Sequence, residues 1–397
     1  MSELLHWVWL SGRPGLPADA KVRLYDHFQS AAAIYRANDK ELKALGLPPS
    51  VCKTLSDKSV KKAEAILAAC DKRQIHIITY QDALYPERLN NIHNPPWLLY
   101  VRGKFPLLDG RPVLSIVGTR KPTAAGQLHA ENFAFQLAKR GMFIVSGMAA
   151  GIDSAANRGA LRANCPTVAV LGCGVDVVYP KNNRRLYSDI AAYGAVISEY
   201  PPGTRPLPAH FPQRNRIISG LADGVFVIEG EKRSGSLITA RHAMEQSRMV
   251  FALPGRPGDV KAQAPNKLIK DHAKLVDCID DILLEYHGYQ FALPPSAPPT
   301  VESVAVPPPA AKRGKRRQTE APLATVERPP LDLSQFSGDE RLILEQLSSG
   351  PRTLEQIVAA LSTVPVPQIL SLLTILDVKD AVVALPGRIY RRVDVER

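Results

Sequence analysis

Cysteine is scarce: the 397 residues hold five, at 52, 70, 165, 173 and 278, and none stands in a CxxC pair. An odd count without paired spacing excludes a disulfide framework and a cysteine-based zinc site, and fits thiols kept reduced. The nine histidines form no HExxH or other ligand spacing, so no metal is expected. No apolar run approaches the ~18–20 residues that span a bilayer, which leaves no membrane partner. The opening Met1-Ser2-Glu3-Leu4-Leu5-His6-Trp7 has no basic segment ahead of an apolar core, and the expected location is cytoplasmic. No internal repeat of about 20–50 residues is present either.

The nucleotide and hydrolase motifs are missing as well. Neither Gly147–Gly151 nor Gly172–Gly174 completes G-x-G-x-x-G, and no ribose-binding acid follows Ser146 at the expected distance. Gly230 and Gly235 have the glycine spacing of a P-loop, but Ser236 stands where its lysine would be. There is no G-x-S-x-G elbow. No cofactor and no catalytic residue are expected, and the chain reads as a non-enzyme.

What is present is positive charge and an α/β texture. There are 50 Lys and Arg against 38 Asp and Glu, a net charge of +12, which favours polyanionic partners. With 45% apolar residues the chain can bury a core, and its length suggests two to four domains. Residues 1–80 read as a helical module, with helical spacing over Lys21–Ser30, Lys40–Ala44 and Val60–Cys70. Residues 81–105 read as a connecting segment with one strand, Trp97–Val101. From 106 to 290, short apolar runs alternate with helical patterns: Val113–Val117, Met142–Val145, Thr167–Leu171, Ala195–Ser198, Gly224–Ile228 and Arg248–Leu253. That alternation predicts a doubly wound parallel sheet with helices on both faces. Ten prolines between Pro294 and Pro330 mark 291–335 as a linker, which carries the basic cluster Lys312–Arg317. Residues 336–397 form a compact tail.

In such sheets ligands bind beyond the carboxyl ends of the strands, where helix N-termini favour anions. Five consecutive junctions here carry small residues, amides or cations. They are Gly118-Thr119-Arg120, then Ser146-Gly147 through Gly151-Ile152-Asp153, then Tyr179-Pro180-Lys181-Asn182-Asn183, then Phe211-Pro212-Gln213-Arg214-Asn215-Arg216, and Ser234-Gly235-Ser236. This chemistry suits a phosphate backbone, and Tyr179, Tyr200 and Phe211 beside it offer faces for bases. Asp153 and Asp176 read as helix caps or turn formers.

These blocks, with Gly172-Cys173-Gly174-Val175-Asp176-Val177-Val178-Tyr179-Pro180 and Arg214 through Leu221, resemble the bacterial DNA-processing protein A family (DprA/Smf) in content and order across about 112–255. The resemblance implies an extended Rossmann-like sheet domain. An N-terminal sterile-alpha-motif-like or helix-hairpin-helix module precedes it, and a C-terminal winged-helix domain follows. It implies a homodimeric single-stranded-DNA binder of natural transformation that protects incoming strands, interacts with single-strand-binding protein and loads the RecA recombinase. The DNA contacts it implies are Gly118, Thr119, Arg120, Ser146, Gly147, Gly151, Lys181, Asn182, Asn183, Phe211, Arg214, Asn215, Arg216, Ser234, Gly235 and Ser236. Dimerisation is implied at Asn266, Leu268 and Ile269. The chain departs from the family pattern at Glu229-Gly230, at Gly258–Pro265 and at His272-Ala273.

A rival reading is a nucleotide phosphoribohydrolase resembling the cytokinin-activating enzymes on a related fold. It lacks their Pro-Gly-Gly-x-Gly-Thr turn, and Glu229 is its one acid placed to act as a general base. In the tail, Asp339–Leu347, Thr353–Leu361 and Pro367–Leu376 are predicted helices and Ala381–Val393 a hairpin. The third helix is apolar at Ile369, Leu370, Leu372, Leu373, Ile375 and Leu376. It offers only Gln368 for base reading, which points to a protein-contacting or modulating role. The tail holds 7 cations against 8 anions, so the positive excess lies in the helical and sheet regions.

Overall fold

The structure is a computed structural model. It describes residues 2–289 and, of 336–392, all except 349, 362–363, 366–367, 370–371, 374, 377–378, 380 and 386–388. The Pro-rich linker and its Lys312–Arg317 cluster lie outside the described residues. The chain divides into two compact units, 1–304 and 305–397.

Six helices open the first unit: α1 Glu3–Ser11, α2 Ala18–Phe28, α3 Ala31–Arg36, α4 Asp39–Ala44, α5 Pro49–Ser56 and α6 Lys61–Arg73. The middle of α1 is buried all round: Leu5, Trp7, Val8, Trp9 and Leu10 are enclosed, with His6 among them. A helix of that kind must be enclosed, and here the other helices and the sheet enclose it. α4 starts with a capping box between Asn38 and Glu41, and α5 with Pro49 at its first turn.

The sheet has nine strands: β1 His76–Thr79, β2 Leu98–Gly103, β3 Val113–Val117, β4 Phe143–Ser146, β5 Thr167–Val170, β6 Ala195–Ser198, β7 Gly224–Val227, β8 Met249–Ala252 and β9 Lys274–Leu275. Their order is β1-β2-β6-β5-β4-β3-β7-β8-β9. From β6 to β9 every pairing is parallel, while β2 runs antiparallel to both of its neighbours. The six predicted runs are all strands, with ends shifted by at most one residue. The sheet also reaches outside 106–290. The connecting segment supplies β2, and the end of the helical module supplies β1. β1 hides in the sequence because only Gln74 and Ile75 separate it from α6.

The helices that follow are α7 Glu87–Asn90, α8 Ala124–Lys139, α9 Ile152–Arg162, α10 Arg184–Tyr193, α11 His210–Gly220, α12 Ser236–Glu245, α13 Gln263–Lys270 and α14 Asp280–Leu283. α8 and α9 bury Phe133, Leu137, Ala155 and Ala160 on one face, against Leu114, Ile116, Ile144 and Phe226. α11, α12 and α13 bury Ile217, Ile218, Ala240 and Leu268 on the other, against Val113, Val117 and Val225. The N-terminal helices share a third core with the sheet, in which Trp7, Trp9 and Leu24 join Leu98, Tyr100, Ala169 and Val196. The helical module and the sheet are therefore one packed body.

The second unit contains α15 Gly338–Gln346, α16 Leu354–Ala360 and an antiparallel sheet of β10 Arg352–Thr353, β11 Val382–Leu385 and β12 Ile389–Arg392, in the order β10-β12-β11. Ser337 with Glu340 and Thr353 with Gln356 close capping boxes on the two helices. Ile369, Leu373 and Leu376 are buried in its core, whereas Ile375 is exposed. Gln368, the one base-reading candidate, donates to Asp339 Oδ2 at 3.1 Å.

Among the described residues no helix is long and apolar enough to cross a membrane. Cys52, Cys70, Cys165 and Cys173 are buried and Cys278 is exposed. Burial pushes the thiols of Cys70 and Cys173 up to about 11. Since the thiolate is the reactive form, an aromatic disulfide reagent is expected to titrate one thiol quickly in the native protein and the other four only on denaturation. Two or more fast thiols would contradict this packing.

Candidate nucleic-acid interface

From β3 the chain winds one way through β4, β5 and β6, then crosses to β7 on the other side of β3. The carboxyl ends of β3 and β7 thus flank a topological switch point, where this architecture leaves a crevice. A cleft of about 380 Å³ lies there. Its walls are Gly118, Thr119 and Arg120 after β3, Asp153 on α9, Tyr179 after β5, Pro206, Pro208 and Phe211 before and at the start of α11, Arg214 and Asn215 on α11, and Ser234–Ser236 at the start of α12.

Backbone hydrogen bonds hold the first wall. Thr119 N–H donates to Glu229 O at 2.8 Å, and Thr119 O accepts from Ile152 N–H at 3.2 Å. Gly151 makes the second contact possible. Its φ is +84°, and a Cβ there would stand 2.4 Å from Thr119 O and 2.7 Å from Pro122 Cδ. Only glycine fits that geometry.

The floor is a buried guanidinium. Arg214 is 3% exposed and donates through Nη1 to Gly147 O at 2.9 Å and to Val170 O, and through Nε to Asn215 Oδ1 at 3.2 Å. Burial pushes its pKa down to about 10, with Asp153 acting in the opposite direction, so it stays charged at neutral pH. Asp153 is buried as well, and burial pushes its carboxyl up. Arg214 and the amides of Ala149, Gly118 and Gly147 pull it back. One carboxylate thereby joins two loops, after β3 and after β4, to α11. From the sequence Asp153 reads as a helix cap or turn former, because nothing in the spacing of Gly151-Ile152-Asp153 says which way the side chain turns.

The mouth is cationic and aromatic. The exposed Arg120 lies over the Phe211 ring at 5.1 Å, Tyr179 is 5.5 Å from the same ring, and Arg214 lies 5.9 Å beneath it. Ser234 Oγ and Ser236 Oγ share a hydrogen bond of 2.8 Å, and Asn215 Nδ2 donates to Gly235 O at 3.4 Å, so the turn before α12 forms the far wall. Gly147 lines a smaller hollow that continues from the cleft past Tyr179 and Phe211. Lys181 and Asn182 are exposed on the short turn after the cis Tyr179–Pro180 bond and stand outside the cleft itself. Tyr200 turns away and stacks on His210 at 4.1 Å.

Several expected contacts point inward instead. Ser146 is fully buried, its hydroxyl donating to Ile116 O at 2.6 Å. Asn183 donates to Met148 O at 2.9 Å and Ser154 Oγ at 2.8 Å, so it holds the loop together. Arg216 faces the opposite side of α11 and pairs with Glu199. Of the implied dimer residues, Asn266 exchanges two hydrogen bonds with the Gly255 backbone, at 2.9 and 3.1 Å, and Leu268 belongs to the sheet's own core. Ile269 is half-buried against that core. The acid of the phosphoribohydrolase reading, Glu229, accepts from Thr123 N–H at 2.9 Å and Thr123 Oγ1 at 2.6 Å. It is engaged at the start of α8.

Comparison with known proteins agrees with this architecture. The family model described as DNA recombination-mediator protein A matches residues 76–287, and one described as DprA winged helix domain matches 318–388. The chain is 33% identical to the protein Smf of Synechocystis sp. over 98% of its own length and 99% of the relative's. DNA processing protein A from Streptococcus pneumoniae superposes with a TM-score of 0.63 at 32% identity, over 74% of this chain and 99% of that one. The same protein from Helicobacter pylori, solved for its unique single-stranded DNA binding mode, gives 0.50 at 32% identity over 55% and 98%. A match that spans the nine-stranded sheet, joined by one at the tail and a relative covered from end to end, places this chain in the DNA recombination-mediator protein A (DprA/Smf) family.

Proposed function

We propose that the chain binds single-stranded DNA along the strand-end cleft without sequence preference. As a cytoplasmic homodimer of natural transformation, it protects incoming strands, meets single-strand-binding protein on them and loads the RecA recombinase. The observation that carries the DNA reading is the mouth of the cleft, where Arg120 lies 5.1 Å over Phe211 with Tyr179 alongside. A single strand needs cations for its phosphates and aromatic faces for its bases, and this mouth offers both. The H. pylori relative, solved with attention to its single-stranded DNA binding, supports the same reading. Arg120 at the mouth and Lys181 on the turn beside the cleft are the phosphate contacts, Phe211 and Tyr179 the stacking faces. Dimerisation falls to Ile269 and its surroundings, since Leu268 is committed to the core.

The test is single-stranded DNA affinity against salt. Arg120→Ala and Lys181→Ala are each expected to weaken binding about tenfold on every sequence, ~1.4 kcal/mol. Each should lower the salt slope by about 0.7, one phosphate contact. Wild-type affinity in both variants would remove the cleft from the DNA path.

A further inference from the structure

We propose that Asp176 is a positioning residue for the cleft, and that through it the N-terminal helical module sets the geometry of the aromatic mouth. This rests on the cleft being the DNA site. Asp176 lies on the connection between β5 and α10. Its Oδ2 is 3.2 Å from Arg73 Nε, on the last residue of α6. Its Oδ1 accepts from Gly203 N–H at 2.8 Å, on the connection between β6 and α11. One carboxylate therefore ties together three segments remote in sequence. The Asp176 side chain is only 11% exposed.

The junction is built to receive it. Gly174 N–H donates to Thr204 O at 3.0 Å, and Val177 N–H returns to Gly174 O at 2.9 Å. A Cβ on Gly174 would stand 2.7 Å from Asp176 Oδ1, 2.8 Å from Pro201 O and 2.9 Å from Gly203 N, so the close approach requires glycine. Thr204 Oγ1 closes the second loop on Pro201 O at 2.6 Å, and Tyr187 Oη donates to Val175 O on the first.

Both tied loops end at the cleft. Tyr179, three residues past Asp176, stands at the mouth, while Pro206 and Pro208 follow Gly203 into the wall. Arg73 lies outside the cleft and its charge is spent on Asp176. Through this tie the helical module acts on the bound strand by placing Tyr179 and the proline wall, and the charge of Arg73 plays no direct part. A misplaced ring loses base stacking and leaves phosphate contacts intact.

The experiment uses the full chain and two labelled strands of equal length, oligothymidylate and an abasic deoxyribose-phosphate strand, each titrated across salt. Asp176→Ala is expected to lose about tenfold on oligothymidylate, within what one stacked base contributes, and less than twofold on the abasic strand. Its salt slope should stay at the wild-type value. Asp176→Asn keeps an acceptor for Gly203 and loses only the ion pair, so it should match Arg73→Gln at a smaller loss, about threefold. Arg73 is about half exposed, so Arg73→Gln keeps the test alive if Asp176→Ala fails to fold. Equal losses on both strands, or none in any of the three variants while Arg120→Ala still weakens binding, would overturn the proposal. If Arg120→Ala itself binds normally, the cleft reading fails first and this inference goes with it.

Discussion

Replacing Arg214 with alanine is expected to cost about 3–5 kcal/mol of folding stability, the usual consequence of removing one partner from a buried charged network. The guanidinium carries three donor contacts from a position 3% exposed, and its loss leaves Gly147 O and Val170 O unpaired and Asp153 without its compensating charge. Chemical denaturation with a two-state fit to the first unit's transition measures it. Arg120→Ala, exposed and lying on a ring face, should leave the midpoint unchanged while weakening DNA binding, so the pair separates fold from function. The deficit of Arg214→Ala also has a pH signature. The Asp153 carboxyl is already raised by burial and rises further once Arg214 is gone. A group whose folded pKa is raised favours the folded state at low pH and loses that advantage as pH climbs through the folded value. The gap between variant and wild type should therefore narrow on acidification from neutral toward the folded pKa of Asp153. A gap that widened would mean Asp153 is not the group left uncompensated.

The second large effect is at Gly151. With φ +84° and ψ −126°, alanine there carries left-handed strain of about 1–3 kcal/mol. Its Cβ must also fit 2.4 Å from Thr119 O, a backbone atom fixed by its bond to Ile152 N–H. Strain and clash together are expected to exceed about 3 kcal/mol. Any folded fraction should bind DNA poorly, because relief of the clash pushes Thr119 and Arg120 outward. Gly235→Ala is the control: a Cβ there meets nothing within 4 Å, and the backbone is right-handed. Its stability should stay within about 0.5 kcal/mol of wild type. If Gly151→Ala proved as mild as Gly235→Ala, the described path of the first loop would be wrong.

Much of the sheet could be read from the chain because parallel strands, buried on both faces, are short and predominantly apolar, as in Val113–Val117 with its single Ser115 and Ala195–Ser198 with its terminal Ser198. β9, two exposed residues long, has no such signature, and α1 shows little helical period because six successive residues, Leu5–Leu10, are buried and only His6 among them is polar. In the site, position along the chain was legible and direction was not. Ser146 ends a strand beside the cleft, yet the pleat points it at Ile116 O. Arg214 and Arg216 belong to one motif but stand on different sides of one helix. Asp153 and Asp176 look like caps or turn formers in the sequence, since the segments they join lie far apart along it.

The position of α11 has a consequence for how binding would feel thermodynamically. Successive helix residues are rotated by about 100°, so Arg214, Asn215 and Arg216 wrap past half the circumference of α11. Arg214 and Asn215 are fastened to loops at the cleft, and Arg216 is fastened to Glu199 behind it. A helix pinned on both sides cannot roll to meet a ligand. The cleft is preorganised on this side, and in the proposed complex the ordering entropy of association would fall almost wholly on the DNA strand. Shorter or stiffer strands should then gain affinity per nucleotide, and occupancy should leave the amide-exchange rates of α11 close to those of the free protein.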